Sequence, residues 1–519
     1  MISVNISPAV ATALCGAVAV YALLWILLHL THDNNEPPLV STTVPFISPT
    51  LGMIKWSKDF YAHMRKQHQK LSIYTLRIPG ARLYVINSLS LIPVVQRQWR
   101  TLIFAPIQVK AAKAAMGASK EAIAIMERDM VTEHGFMSGM VKATHPTTSN
   151  GPALDALNTR AFEVFNETLG QLTLPTTVNM YNWIGKMIMN ATTEAIYGPS
   201  NPMKDARSLE AWSQFHSALM YIMLDILPQN IFFRTAMKAR EYLVTAFTKY
   251  YNDGSYKQGS AYIQRFTEYC VGQKITEDDV PRLMLGTVFN NVANTIPTAF
   301  WVIYRIFSDP AVLEECRQEV SQAVRASDDD GNAESVLDLS VVLSSCPALL
   351  STYHEVFRYH GMANSVRVIA EDYMLDDKYH LKKGGLVMMS ARAQHSNADV
   401  WGDDVDEFRH RRFVKQQQGR RLNPVAFRGF GGGTTLCPGR HFATGEILLL
   451  TALLLLRFDI EPAAARWVLP STAKSSQAEA MEQPDDDVEV VFVPRPEVAG
   501  RTWRVEFSGP RDAELLVQK

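Results

Sequence analysis

The stretch F-R-G-F-G-G-G-T-T-L-C-P-G-R-H-F-A, residues Phe427–Ala443, decides how the rest of the chain is interpreted. Cys437 at its centre is one of five cysteines among 519 residues, and three glycines before it leave room for a large flat ligand. Pro438 favours the first turn of a helix over the apolar run 442–456, so Cys437 is predicted at or beside the N-cap. There the helix dipole and unpaired backbone N–H groups favour a thiolate, which suits a ligand of haem iron.

Four residues of this stretch follow the spacing F-x-x-G-x-x-x-C-x-G, namely Phe430, Gly433, Cys437 and Gly439. By residue chemistry alone, the alternative is a buried free cysteine at a tight turn. The spacing resembles the haem-ligand loop of the cytochrome P450 superfamily. That resemblance implies a mainly α fold with a smaller β portion, and haem bound in this loop with Cys437 as the axial iron ligand. Thr435 stands where the family usually places Arg or His, so it offers a haem propionate a hydroxyl group without a charge.

Composition excludes several other classes of protein. Lys and Arg together number 51 and Asp and Glu 52, so the balance of charge favours neither a nucleic-acid partner nor an acidic tail. The five cysteines are odd in number and scattered, which is typical of a reducing compartment rather than a disulfide framework. No internal repeat or low-complexity linker divides the chain.

The N-terminus carries one membrane signal. Residues Ala9–Leu30 carry no charge, and this run is long enough to cross a bilayer as one helix. A cleaved signal peptide is the alternative, but no Lys or Arg precedes the run and H-D-N-N-E-P-P follows it. We therefore predict a membrane anchor and proline hinge in residues 1–38 and a catalytic domain in residues 39–519. The resemblance to microsomal P450s implies a single-pass protein of the endoplasmic reticulum with a cytosolic catalytic domain.

A second informative stretch, Met284–Phe307, is apolar on nearly every side and predicts a buried helix. Pro297 removes one backbone N–H and collides with the carbonyl group four residues earlier. The helix should therefore open near Ala293–Thr295, leaving a polar notch formed by Asn294 and Thr295. The alternative for Thr295 is a helix-interior hydroxyl bonded back to a carbonyl group.

The order N-V-A-N-T-I within this helix resembles the oxygen-activation pattern of P450s, with Asn294 where an acid is usual. The resemblance assigns catalytic roles to Thr295 and Asn294. The form A-N-T-I-P is most similar to the sterol 7α-hydroxylase and prostacyclin synthase-like branch, and Thr295 favours its monooxygenases over its isomerases.

Glu355 and Arg358 are three residues apart, so on a helix they share a face and can pair. Farther along, D-E-F-R-H-R-R-F at 406–413 resembles the family's F-x-P-x-R-F with His410 in place of proline. The resemblance implies that Glu355, Arg358 and Arg412 form a buried charge network that holds the cysteine loop.

The resemblance also implies that Arg367 pairs with a haem propionate and that His395 is structural. The family's W-x-x-x-R motif is absent from its expected region, where Lys142 or His145 could substitute although a solvated surface role suits either residue better. Two later segments, V-E-V-V-F-V-P-R-P and T-W-R-V-E-F, predict a terminal β-hairpin.

Residues 409–440 form a basic run that contains no Asp or Glu. It should make the surface near Cys437 electropositive and attract an acidic electron-donor protein. The resemblance implies an NADPH-dependent flavoprotein reductase as that partner. The run contains Arg409, Arg411, Arg412, Lys415, Arg420, Arg421, Arg428 and Arg440.

The sequence thus predicts a haem-thiolate monooxygenase that inserts one atom of O2 into a lipophilic substrate such as a steroid, terpenoid or polyketide. Two alternatives remain open. One is an isomerase or dehydratase of the same fold that needs no reductase, and the other is a non-catalytic haem-binding protein.

Overall fold

A computed structural model describes residues 7–40, 42–224, 227–327, 334–414, 423–477 and 479–509. Helices dominate these residues and strands form a smaller part, as the sequence predicts. The helices are α1 Pro8–Thr31, α2 Ile47–Trp56, α3 Phe60–Gln67, α4 Leu91–Arg97, α5 Ala105–Ala111, α6 Lys120–Glu127, α7 Phe136–Thr148, α8 Pro152–Gly170, α9 Met180–Tyr197, α10 Ala206–Leu224, α11 Gln229–Phe232, α12 Arg234–Asn252, α13 Ala261–Gly272, α14 Asp279–Val292, α15 Thr295–Phe307, α16 Pro310–Ser321, α17 Leu339–Ser345, α18 Pro347–His360, α19 Ala391–His395, α20 Ala398–Trp401 and α21 Arg440–Arg457.

The strands form four small sheets. The largest has the order β1-β2-β10-β7-β3, with β2 and β10 parallel and its other neighbours antiparallel. The others are β11-β12-β4, β13-β6-β5 and β8-β9. The strands are β1 Ile73–Ile78, β2 Ala81–Ile86, β3 Leu102–Ile103, β4 Thr176–Asn179, β5 Val324–Ser327, β6 Glu334–Asp338, β7 Asn364–Ile369, β8 Tyr373–Leu375, β9 Tyr379–Leu381, β10 Leu386–Ser390, β11 Phe458–Pro462, β12 Glu489–Pro494 and β13 Thr502–Glu506.

The predicted terminal hairpin is wrong. β12 pairs with β11 and β4, whereas β13 pairs in parallel with β6, so the two strands belong to different sheets. Both have the alternating pattern of a half-buried strand, but the pattern does not name the partner, because register and pairing depend on distant residues.

The helical core is built around α21, which is buried on every side from Leu448 to Leu455. α15 packs against α9, α18 and α21, and all but two of its residues are buried. These helices carry the cysteine loop, the polar notch and the Glu355 network, so the core fixes the relative positions of the three motifs.

The N-terminal helix α1 begins at Pro8, with the Ser7 hydroxyl accepting a bond from the Val10 N–H group. An 18-residue window within Pro8–Leu30 has a mean hydropathy of 2.2 and contains no buried residue, although Leu28 near the end of the helix is buried. The helix is therefore long and apolar enough to cross a membrane.

The segment predicted as a proline hinge is attached to the catalytic domain. Thr75 of β1 donates its N–H group to the Pro38 carbonyl (2.8 Å) and its hydroxyl to the Pro37 carbonyl (2.7 Å). The buried Glu36 carboxylate accepts a bond from the Tyr84 hydroxyl (2.7 Å) and pairs with Arg82 (3.2 Å). The two prolines thus form part of a docked strand-like segment instead of a free joint.

Candidate active site

A cavity of about 360 Å³ lies where the break between α14 and α15 meets the loop that precedes α21. Cys437 and Gly439 of the loop line it, and so do Asn294 and Thr295 at the break. Aromatic side chains complete much of the wall, with Phe357 and Phe430 in contact at a ring separation of 4.7 Å; the other aromatic residues are Phe104 and Phe442. The cavity therefore joins the two motifs that the sequence places far apart.

The backbone of the cysteine loop is fixed by local bonds. The Cys437 N–H group donates to the Phe430 carbonyl (3.0 Å), and α21 begins at Arg440 with Gly439 as its N-cap. Cys437 thus lies just before the helix, as predicted. Burial nevertheless raises the pKa of the Cys437 thiol, and the N–H groups of Gly439 and Arg440 only oppose that effect. The backbone N–H groups at the helix terminus thus favour the thiolate, as predicted, but burial outweighs them, and a bound metal cation would supply the remaining stabilisation of the thiolate.

The glycines of the loop serve different purposes. Gly431 (φ +79°) lines the cavity and adopts the left-handed backbone that favours glycine. Gly433 (φ +60°) does not line the cavity, and a Cβ atom there would lie 3.0 Å from the Gln96 side chain. Gly433, predicted as a cofactor-binding residue, allows the loop to pack against α4.

The break in the distal helix falls where Pro297 predicts it. α14 ends at Val292 and α15 begins at Thr295, so Ala293 and Asn294 interrupt the helix. The Thr295 hydroxyl donates to the Asn291 carbonyl (2.6 Å), as in the alternative interpretation, while the residue still lines the cavity. The hydroxyl is thus held at the cavity wall by a backbone group.

Glu355, Arg358 and Arg412 meet in one buried network. The Glu355 carboxylate accepts two bonds from Arg358, each of 2.7 Å, and one from Arg412 Nε (3.1 Å). Both arginines also donate to backbone carbonyls, including those of Val405 (2.6 Å) and Asp404 (3.0 Å). All three side chains are almost fully buried, so the charges depend on one another.

The network reaches the cysteine loop through Phe427. Arg358 and Arg412 bond to backbone carbonyls in the segment around 401–407. Phe427, at the start of the cysteine loop, packs against this part of the protein, with its ring stacked on His395 at 5.9 Å and in contact with Phe413 at 5.4 Å. His395 Nε2 accepts the backbone N–H group of Arg428 (2.9 Å). His395 therefore has the structural role expected of it.

Two buried arginines, Arg367 and Arg428, line the same cavity. Arg367 donates to the Ser365 hydroxyl (3.1 Å), the Val366 carbonyl (2.9 Å) and the Thr435 hydroxyl. Burial lowers the pKa of each guanidinium to about 10, and the charge of Arg428 contributes to the shift at Arg367. A wall with two buried cations and a neighbouring thiol suits a ligand that combines a metal ion with carboxylates.

Comparison with known proteins shows the family to which the chain belongs, and through it the ligand. The family model described as Cytochrome P450 matches residues 38–486. The chain belongs to the cytochrome P450 family. It is 32% identical over 489 residues to the cytochrome P450 monooxygenase nodJ of Hypoxylon pulicicidum, covering 91% of this chain and 92% of that protein.

Two further comparisons agree with this assignment. The chain is 23% identical over 513 residues to the cholesterol 7-alpha-monooxygenase of Cricetulus griseus, covering 92% of this chain and 97% of that protein. The solved structure of a retinoic acid-bound cyanobacterial P450, CYP120A1, superposes with a TM-score of 0.65 at 17% identity, covering 89% of this chain and 99% of that one. The second likeness shows the fold, and the first agrees with the branch indicated by A-N-T-I-P.

This P450 is a monooxygenase that binds haem through a cysteine thiolate. The cavity fits that cofactor, because it offers the Cys437 thiol and the Arg367 and Arg428 guanidiniums in one space. Those residues would hold the iron and the two propionates, respectively. Arg428, which the sequence analysis places only in the basic run, would be the second propionate partner.

The two residues considered as substitutes for the absent W-x-x-x-R motif, Lys142 and His145, do not line the cavity. Lys142 is exposed and pairs with Glu133 (3.4 Å), and the His145 ring contacts the Ser149 hydroxyl (3.1 Å). Both belong to the surface side of α7, which agrees with the solvated role weighed for them.

The basic run is less of a surface feature than its sequence suggests. Arg412 and Arg428 are buried, and Arg409 and Arg411 pair with Asp404 (2.7 Å) and Glu315 (3.3 Å). Three other members, Lys415, Arg420 and Arg421, lie outside the described residues. Burial and pairing thus reduce the positive charge available to a partner among the described members.

We expect Arg367→Gln and Arg428→Gln each to release haem about 10- to 100-fold faster, because each variant loses a charge-assisted bond worth about 1.5–3 kcal/mol. Transfer of haem from the purified protein to apomyoglobin measures the rate. Arg411→Gln, an exposed change in the same basic run, is the matched control. Equal rates for all three variants would contradict the assignment.

Stability should fall in mild acid because two histidines are buried near the network. Burial lowers the pKa of His354 to about 4 and that of His395 to about 3. An unfolded histidine has a pKa of about 6.5, so unfolding takes up protons below that pH. The stabilisation is fully present above about pH 6.5 and decreases towards pH 4, by up to about 1.4 kcal/mol per pH unit for each histidine. Urea unfolding at several pH values measures the slope, which His395→Gln should make shallower; an unchanged slope would refute this account.

Proposed function

We propose that this P450 inserts one oxygen atom of O2 into a lipophilic substrate, with Cys437 as the axial ligand of the haem iron. The observation that carries the proposal is the single cavity lined by the Cys437 thiol, the Arg367–Arg428 pair and the Asn294–Thr295 break. Haem, when bound, supplies the iron centre that activates O2. The chain's own residues then have to position the substrate, hold water and deliver protons.

Proton delivery is the role proposed for the break in the distal helix. Pro297 cannot donate to the Ala293 carbonyl, and the Asn294 carbonyl already accepts the Thr298 hydroxyl (2.6 Å). The Asn294 side chain is exposed to the cavity, next to the Thr295 hydroxyl. Both can hold a water molecule, and the Thr295 hydroxyl can pass a proton inward by exchanging its bond to Asn291 for one to that water.

The lipophilic substrate class is supported by the aromatic cavity wall and by the name of the relative that oxidises cholesterol. A steroid, terpenoid or polyketide would fit this description. Asn290, Asn291 and Thr298 add polar groups to the wall, so we expect a substrate with at least one hydroxyl or carbonyl group.

The electron donor proposed is an NADPH-dependent flavoprotein reductase, at the endoplasmic-reticulum membrane. The apolar helix α1 supports single-pass anchoring, with the catalytic domain proposed to lie in the cytosol. The absence of Asp and Glu from residues 409–440 supports docking of an acidic partner near Cys437, with Arg409 and Arg411 exposed.

The test is turnover of a panel of lipophilic compounds by the protein co-reconstituted with reductase under ¹⁸O2. We expect a product that contains one ¹⁸O atom, formed only with NADPH and reductase present. An isomerised product formed without either would identify the isomerase alternative. Absence of both a product and any substrate-dependent NADPH consumption would identify the non-catalytic one.

Thr295→Ala should reduce product formed per NADPH about 10-fold or more, because positioned proton transfer contributes about 10²- to 10⁴-fold to such steps. NADPH consumption should continue, and the NADPH that yields no product should be used to reduce O2 to hydrogen peroxide. Thr295→Ser, which keeps the hydroxyl, should restore most of the coupling. The ratio of product to NADPH measures the effect, and unchanged coupling in Thr295→Ala would show that the hydroxyl has no such role.

A further inference from the structure

A second, open groove of about 580 Å³ lies at the end of the N-terminal helix, away from the candidate active site. Its walls come from the last two turns of α1, the start of α2 and the turn between β1 and β2. Apolar side chains line much of it, namely Leu24, Leu27, Phe46, Ile47 and Ile78.

The apolar lining continues along an exposed face of α2. Ile47, Leu51 and Ile54 follow helical spacing and are 43%, 58% and 73% exposed, respectively. A short surface helix normally turns such residues inward. An outward apolar face beside a helix that can span a membrane suits the acyl region near the bilayer surface.

Cations stand at the rim of the same groove. Arg77 donates to the Thr31 carbonyl at the end of α1 (3.3 Å) and lies over the Phe46 ring at 5.4 Å. Lys383 is exposed and also lines the groove. Within the described ranges, neither residue has a carboxylate within ion-pair distance, whereas the adjacent Arg82 pairs with Glu36 (3.2 Å).

The surroundings of Arg77 favour an additional anion. Its buried Nε atom has no hydrogen-bond acceptor among the described residues. Burial and the neighbouring charge of Arg82 lower the pKa of its guanidinium, and the Glu36 carboxylate only partly opposes them, so a further anion beside Arg77 would stabilise its charge.

We propose that this groove binds one anionic phospholipid of the host membrane, with its phosphate between Arg77 and Lys383 and an acyl chain along Leu24, Leu27 and Ile47. Charge complementarity selects the anionic head group, and the apolar wall selects a lipid over a free phosphate. The proposal rests on the membrane anchoring proposed above. Bound lipid would fix the β1–β2 turn and the catalytic domain close to the bilayer surface.

The experiment uses the full-length holoprotein in nanodiscs of phosphatidylcholine with or without phosphatidic acid, and native mass spectrometry counts retained lipid. Arg77→Gln/Lys383→Gln should retain the anionic lipid roughly 30-fold less tightly, from about 1 kcal/mol for each basic residue. Arg265→Gln/Lys274→Gln on and beside α13 removes the same charge elsewhere and should retain lipid as the wild type does. Equal loss of retained lipid in the two double variants, or no loss in either, would overturn the proposed lipid site.

Flotation with neutral phosphatidylcholine vesicles separates this proposal from the anchoring on which it depends. Wild type and both double variants should float, because α1 alone provides that attachment. Failure to float would overturn the anchoring and the groove together, whereas flotation without preference for phosphatidic acid would overturn only the groove. Inorganic phosphate at millimolar concentration should not displace the lipid, and displacement would show that the site recognises phosphate alone.

Discussion

Arg358→Ala is expected to lose most of its haem and roughly 3–5 kcal/mol of folding free energy, because it leaves the buried Glu355 carboxylate short of its main partner. Arg358 makes two 2.7 Å bonds to Glu355 and one to the Val405 carbonyl (2.6 Å). A typical domain is stable by about 5–15 kcal/mol, so this loss is a large fraction of the total.

The loss should reach haem through the packing around Phe427, which joins the network region to the cysteine loop. Haem per protein and the urea midpoint together measure the effect. Arg411→Ala, which removes an exposed arginine paired with Glu315, is the control and should keep normal haem content. Normal haem content in Arg358→Ala would contradict the role of the network in holding the cysteine loop.

Cys437→Ser is expected to abolish monooxygenation while leaving the fold nearly intact. The backbone bond from residue 437 to the Phe430 carbonyl survives the change, but a serine hydroxyl does not replace a thiolate as the iron ligand. Product formation should fall to the level of an enzyme-free control, with a circular dichroism spectrum like that of the wild type.

Cys346→Ala provides the matched control for the cysteine. Cys346 is fully buried away from the cavity, and burial raises its pKa to about 12. This thiol is therefore inert, and its removal should leave activity within a few-fold of wild type. Retained product formation in Cys437→Ser would show that another group ligates the iron.

Local chemistry explains why so much of the site is visible in the sequence. Pro297 breaks its own helix and Pro438 precedes α21, so both features follow from residues within one turn. The Glu355–Arg358 pair is likewise set by helical spacing. The family resemblance then adds the long-range information that these three segments surround one cavity.

The features that the sequence did not reveal all depend on distant contacts. Arg428 lines the cavity only because the loop turns it inward, and Arg412 is buried because it bonds to Glu355 and Asp404. The Pro37–Pro38 segment docks because Thr75, 37 residues beyond Pro38 in the sequence, supplies its bonds. Cys437 has a raised pKa because burial, which the sequence does not show, outweighs the helix terminus.

The central claim is that Cys437 supplies a thiolate to haem iron in this cavity, and the reduced carbon monoxide difference spectrum tests it most directly. The wild-type protein should show the strongly red-shifted Soret band of a thiolate-ligated carbon monoxide complex, and Cys437→Ser should lack it. A band at the shorter wavelength typical of a histidine-ligated haem in the wild type, or a red-shifted band that persists in Cys437→Ser, would contradict the account.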